Sequence, residues 1–120
     1  MGLTDILQEA VDRVQGARLA GVIGADGLGV DLVVADDAGL PDRAETELEL
    51  ASLASSASYS ADRLGAGKVR DIIVEADNLT YLASQIVPGY FAVLGVKPTS
   101  SLGRARFAVR QMVSRLQDEL

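Results

Sequence analysis

The chain of 120 residues contains no cysteine and no histidine. Without cysteine there is no disulfide framework and no thiol chemistry. Without histidine the commonest general base and metal ligand is missing. Ser-His and Cys-His catalysis are thereby excluded, and a zinc or copper site is not expected. Lysine is scarce too: Lys68 and Lys97 are the only two, and no pairing of nucleophile and base stands out. The chain therefore reads as a non-enzyme, with no catalytic residue, no metal and no cofactor. Aromatic residues make up 4%, which argues against a site for a flat ligand. No apolar run approaches the roughly 20 residues that span a bilayer. The opening MGLTDILQEAVDR lacks the basic flank and apolar stretch of a secretory signal. Membrane insertion is not expected, and a cytoplasmic location follows by default. The net charge is -6 and the pI about 4.5. Such a field does not attract nucleic acid or an anionic membrane. The C-terminal segment alone could carry a local basic patch.

What is present is enough for one core. Hydrophobic residues make up 48% and charged residues 23%, the profile of a folded domain and too short for two. Residues 1-120 are read as a single domain. Thr4 can cap a helix from Asp5, with Leu3, Ile6, Leu7, Ala10 and Val14 on one stripe and Gly16 as its stop. Leu19 to Gly24 and Leu28 to Val34 read as strands joined by Ala25-Asp26-Gly27. Ala44 to Leu64 reads as a long helix with Glu45 and Glu47 at its positive end. Leu50, Leu53, Ala54, Ala57, Ala61 and Leu64 form one face of it. Leu48, Ser52, Ser55 and Tyr59 lie towards another. Three strands follow: Val69 to Glu75, Leu79 to Val87, and Tyr90 to Val96. Pro88-Gly89 makes a tight turn between the last two. The last strand is the most apolar and is placed at the centre. Ser100 or Ser101 caps a final helix from Leu102 to about Glu119.

The expected fold is α+β, in the order α-β-β-α-β-β-β-α. Hairpin-length links predict a five-stranded antiparallel sheet, and three helices can cover both its faces.

The stretch GVIGADGLGVDLVVADDAGLP, residues 21–41, holds five glycines and four aspartates. A dinucleotide loop needs G-x-G-x-x-G before a helix. Here Gly27 and Gly29 are followed by Leu32 and by a strand. Gly67-Lys68 is followed by Val69 rather than by Ser or Thr, so no phosphate loop is formed. The glycines are expected to serve turns and close approach of a covering helix. Asp26, Asp31, Asp36 and Asp37 do not match a calcium loop. They are expected to be solvated turn acids, with Asp31 marking a strand edge.

In the last helix Leu102, Ala105, Val109, Met112, Val113, Leu116 and Leu120 share a face. Arg106, Arg110, Gln117 and Phe107 lie opposite. Phe107 is expected to pack under the N-terminal helix, with a partner contact as the alternative. Tyr59 and Leu48 on the outer side of a helix of small residues suggest an interface.

The order of elements and the stretches LAGVIGADGLGVDLVV, LELASLASSASYSADRL, VRDIIVE and SLGRARFAVR resemble the roadblock family, including its bacterial MglB-type members. The resemblance covers nearly the whole chain, though none of these stretches is a strict signature. It implies a homodimer in which two sheets join edge to edge and the middle helices lie side by side across a two-fold axis. Ala51, Ser52, Ser55, Ser58 and Tyr59 would then face the partner copy, and Val69 to Glu75, with Ile72 and Val74, would be the pairing edge. The resemblance further implies binding of a small Ras-like GTPase, with Leu48, Tyr59, Arg63 and Phe107 as contact residues. The sequence lacks the terminal extension that some bacterial regulators carry, so a scaffold that tethers without accelerating hydrolysis is the alternative. A small-ligand sensor is a third reading, with Gly21, Gly24, Gly95 and Ala92 leaving room on the sheet.

Overall fold

The computed structural model describes residues 2–36 and 38–120. Helix α1 (Leu3–Arg13) leads into strands β1 (Ala17–Gly24) and β2 (Gly29–Val34). The long helix α2 (Arg43–Arg63) follows, then β3 (Asp71–Glu75), β4 (Thr80–Val87) and β5 (Tyr90–Val96). Helix α3 (Leu102–Leu116) and a 3-10 turn (Gln117–Glu119) end the chain. The five strands form one sheet in the order β2-β1-β5-β4-β3, with antiparallel neighbours throughout. This is the expected α+β arrangement, and the most apolar strand, β5, is central.

The turns explain why the chain folds locally this way. Gly27 (φ 90°) and Gly89 (φ 89°) take the left-handed conformation that the two hairpin turns require. Asp26 Oδ1 accepts the Leu28 amide at 3.0 Å and pins the first of these turns. Asp42 caps α2 by accepting the Glu45 amide at 2.9 Å, and Ser101 caps α3 by accepting the Arg104 amide at 3.3 Å.

Strand alternation sorts side chains onto two cores. Ala20, Val22, Leu94 and Val96 meet Ile6, Leu7, Met112 and Leu116 from α1 and α3. Leu19, Ile23, Phe91 and Val93 meet Leu50, Ala51 and Ala54 from α2. Because both faces of β1 and β5 are covered, those strands read as unbroken apolar runs. Each fully buried Leu, Ile or Val contributes about 1.5–3 kcal/mol relative to exposure. Among the described residues every buried side-chain nitrogen or oxygen has a hydrogen-bond partner.

Several expectations are corrected. Thr4 lies inside α1, which starts at Leu3 with Gly2 as its N-cap residue. The Thr4 hydroxyl instead donates to Asp31 Oδ2 at 2.5 Å. Leu64 falls just past the end of α2, where the chain turns away, and is 80% exposed rather than on the buried face. Phe107 does not pack under α1: it lies on the outer side of α3 and is 64% exposed. Asp31 is not a solvated turn acid. Its Oδ1 accepts from Arg43 Nη2 at 2.8 Å while Thr4 holds Oδ2, so it clasps edge strand β2 to the starts of α1 and α2. Asp37 lies outside the described residues.

The glycine-rich stretch serves geometry as expected. A Cβ on Gly29 would run into the Glu47 side chain, because α2 crosses close above it. The room expected at the sheet glycines is filled. Leu32 closes on Gly21, Asp26 on Gly24 and Leu19 on Gly95, and Ala92 is fully buried.

Candidate interaction surface

Helix α2 packs chiefly on β1 and β2, whereas α3 packs on β4 and β5 from the opposite side. The α2 side of the sheet is therefore left partly bare over β3 and β4. Ile72 and Tyr81 lie there, each only half-buried, and Val74 is half-buried beside them. Strand β3 is one of the two sheet edges, and β4 is its single neighbour.

The hydrogen-bond phase of that edge follows from its two ends. Gln85 N donates to Arg70 O at 2.8 Å, and Ala76 N donates to Leu79 O at 3.0 Å. Bonded pairs alternate along an antiparallel ladder, so residues 70, 72, 74 and 76 turn their amides towards β4. Residues 71, 73 and 75 turn theirs outward, to the open edge. Ile73 also holds its side chain 40% exposed. An open edge with an exposed apolar side chain is a template for pairing with another strand.

Over β1 and β2, helix α2 presents small and polar residues on its outer side and flanks. Ser52 is exposed, while Ser55 and Ser58 are half-buried. Tyr59 is 54% exposed and Leu48 59% exposed. The Arg63 guanidinium lies 5.7 Å from the Tyr59 ring centroid, and its Nη1 is 3.4 Å from the tyrosine oxygen. An exposed cation–π contact of this kind contributes about 0.5–1 kcal/mol. It holds the arginine against its own helix. Ala51 does not share this surface. It is fully buried against the sheet and has no area left to offer a partner. Phe107 is separated from Leu48, Tyr59 and Arg63 by the thickness of the sheet, so the four predicted contact residues do not form one surface.

An open groove of about 430 Å³ runs between α2 and the strand β4. Leu40, Leu50, Leu53, Leu79 and Tyr81 line it, with Thr46 and Glu49 at its polar margin. Sequence reasoning missed it, because its lining comes from four separated segments. Tyr81, half-buried between the buried Thr80 and Leu82, faces the part of the sheet that α2 leaves bare, as Ile72 does.

Glu9 is held below its ordinary value of 4.5 by a hydrogen bond from Arg115, reinforced by the charges of Arg115 and Arg13 and opposed by burial. Its Oε2 lies 3.0 Å from Arg115 Nη2 and its Oε1 3.2 Å from Arg13 Nη1, a link between α1 and α3. Among the described residues no three His, Cys, Asp or Glu side chains gather as a metal site, and no helix is long and apolar enough to cross a membrane.

A five-stranded antiparallel sheet in this order, with one long helix on one face and the two terminal helices on the other, is a roadblock-like arrangement. Solved structures bear this out. The chain is 27% identical to MglC from Myxococcus xanthus, with all of both chains covered and a TM-score of 0.71. It is 18% identical to a roadblock/LC7 domain from Streptomyces avermitilis, covering 98% of this chain and 97% of that one, with a TM-score of 0.80. It is 20% identical to the gliding protein MglB from Thermus thermophilus, covering 97% and 86%, with a TM-score of 0.78. No protein-family model and no curated protein matches the chain. The resemblance to MglB-type roadblock domains thus rests on the fold along nearly its whole length.

Proposed function

We propose that the chain is a non-catalytic regulator that pairs with itself and binds a small Ras-like GTPase. The observation that carries the reading is the open β3 edge beside an incompletely covered sheet face and a helix of small residues. Pairing β3 with its copy satisfies the outward amides of residues 71, 73 and 75 and removes an aggregation-prone edge. With the α2 helices of the two copies alongside each other, as the roadblock resemblance implies, Ser52, Ser55 and Ser58 are small enough for close approach. Ile72 and Val74 are then shielded, and Tyr59 closes the end of the contact. Leu48, Tyr59 and Arg63 on the outer side of α2 supply the docking surface for the GTPase.

Hydrolysis of GTP depends on positioning water and on stabilising charge on the phosphates. A partner can promote it by binding the competent GTPase conformation more tightly than the others, without inserting an arginine. Arg63 is occupied with Tyr59, which fits this selection mechanism better than an arginine finger. The test is affinity capture on the immobilised chain, run once with a non-hydrolysable GTP analogue and once with GDP. Capture of a Ras-like GTPase with the analogue alone is the expected result. Equal capture in both favours a scaffold that tethers without reading the nucleotide.

The groove between α2 and β4 supports a second reading, a small-ligand sensor. Its volume falls within the usual range of ligand sites, roughly 300–1,000 Å³, and its lining is mainly apolar. Capture of no GTPase in either arm favours this reading over the first.

A further inference from the structure

The outer side of α3 has no role in the contacts described so far, and its chemistry is distinctive. Over Leu102–Leu116 the helix carries four arginines, at 104, 106, 110 and 115, and no acid, although the chain as a whole is at -6. Arg106, Phe107 and Arg110 are all exposed, and Arg110 lies one turn beyond both Arg106 (i,i+4) and Phe107 (i,i+3). Among the described residues neither Arg104 nor Arg106 has an acidic partner within salt-bridge distance, and Arg110 reaches Asp71 only at 3.5 Å. Phe107, 64% exposed, stands beside the two charges.

The same chain carries the complement of that stripe on its other face. Glu45, Leu48 and Glu49 are exposed on the outer side of the first half of α2, again at spacings of three and four residues. An apolar side chain is flanked by two acids there, where on α3 one is accompanied by two arginines. Neither Glu45 nor Glu49 takes part in a salt bridge among the described residues. The two stripes lie on opposite sides of the sheet, so they cannot meet within one copy.

We infer that the α3 stripe Arg106–Phe107–Arg110 docks a second copy of this chain through its α2 stripe Glu45–Leu48–Glu49. Phe107 and Leu48 bury each other, and the arginines meet the glutamates around them. The contact joins two different surfaces and is heterologous, so it stacks copies in layers and does not close on itself. It leaves the outward amides of the β3 edge free, although Arg110 borders Asp71 of that strand, and it adds to the pairing proposed above. It also covers Leu48, so stacked layers compete with a partner that docks on α2.

The test is sedimentation velocity of the full chain over a range of concentrations. Raising salt from about 50 mM to about 500 mM shortens the screening length about threefold. Species larger than a dimer are expected in low salt, falling back to the dimer in high salt. Arg106→Glu with Phe107→Ala removes the basic stripe, and Leu48→Ala with Glu49→Lys removes the acidic one. Each double variant alone is expected to lose the larger species, with association weakened at least about tenfold. An equimolar mixture of the two regains them, because each retains the stripe that the other lacks. All four positions are exposed, and circular dichroism confirms that the variants remain folded. Ile73→Pro separates this contact from the edge pairing: it removes the dimer and leaves the salt-sensitive association in place. A wild-type chain that never exceeds a dimer in low salt overturns the inference. So do larger species that survive in either double variant, or a mixture that fails to restore them.

Discussion

Gly95 and Gly103 are chemically the same residue in opposite situations. A Cβ on Gly95 would lie 2.8 Å from Leu19 Cγ, and Leu19 is fully buried with no direction in which to retreat. A Cβ on Gly103 would meet nothing nearer than Ser101 Oγ at 3.8 Å, inside a helix. Gly95→Ala is therefore expected to destabilise the fold by about 1–3 kcal/mol through overpacking. Gly103→Ala is expected to stabilise it by up to about 1 kcal/mol through the entropy of the unfolded chain. Urea midpoints of the two variants against the parent check both signs at once. A stabilised Gly95→Ala would mean that the Leu19 contact is loose. The residue scale is also where the sequence is hardest to read. Phe107 falls off the apolar stripe, and a lone aromatic there is equally consistent with packing or exposure. Ala51 and Ser55 differ by one turn and look alike as small residues. Only the path of α2 over the sheet makes one core and leaves the other at the margin. Asp31 gives no local hint of its clasp, because Thr4 and Arg43 are distant in sequence.

Elements are more legible, because periodicity and turn chemistry act over several residues together. The number, type and order of the helices and strands follow from alternating apolar positions, from Gly27 and Gly89, and from the Ser101 cap. Boundaries move by a few residues where capping is ambiguous. Thr4 has the chemistry of a cap for α1 but spends its hydroxyl on Asp31, whereas α2 begins at the cap of Asp42, inside a loop with several candidate acids. The pairing of α1 with α3 is beyond sequence reading, since it depends on where two helices from opposite ends of the chain land on one face. The Glu9–Arg115 contact is part of that pairing, and it carries a pH dependence. The folded-state pKa of Glu9 lies below its ordinary value of 4.5. Its contribution is then fully present at neutral pH, above the unfolded-state value, and disappears as pH falls through the lower folded-state value. Glu9→Gln is expected to be less stable than the parent at pH 7. The difference should shrink once the pH drops below about 4 and vanish in stronger acid. Denaturant midpoints of both proteins across that range are the check. A gap that stays constant with pH would show that the carboxylate's charge is irrelevant to the α1–α3 contact.

At the scale of the whole molecule the open question is what becomes of the β3 edge. Proline tests it cleanly because of the hydrogen-bond phase. Ile73 turns its amide away from β4, so Ile73→Pro removes an outward donor and leaves the β3–β4 ladder intact. Val74→Pro would instead delete a bond inside the sheet and confuse pairing with folding. If two copies join through this edge, Ile73→Pro yields a folded monomer by light scattering, with the circular dichroism spectrum of the parent. That measurement belongs in high salt, where the α3–α2 stacking is screened. Ser55→Arg places a long charged side chain beside α2 and should give the same result from the helix side of the contact. Ala51→Arg is no substitute, since it forces a charge into the core under α2 and is expected to unfold the chain. Agreement between the strand and helix variants would locate the two-fold axis between them. A dimer that survives Ile73→Pro but not Ser55→Arg would place the pairing on the helices alone and leave the edge strand free for a different partner.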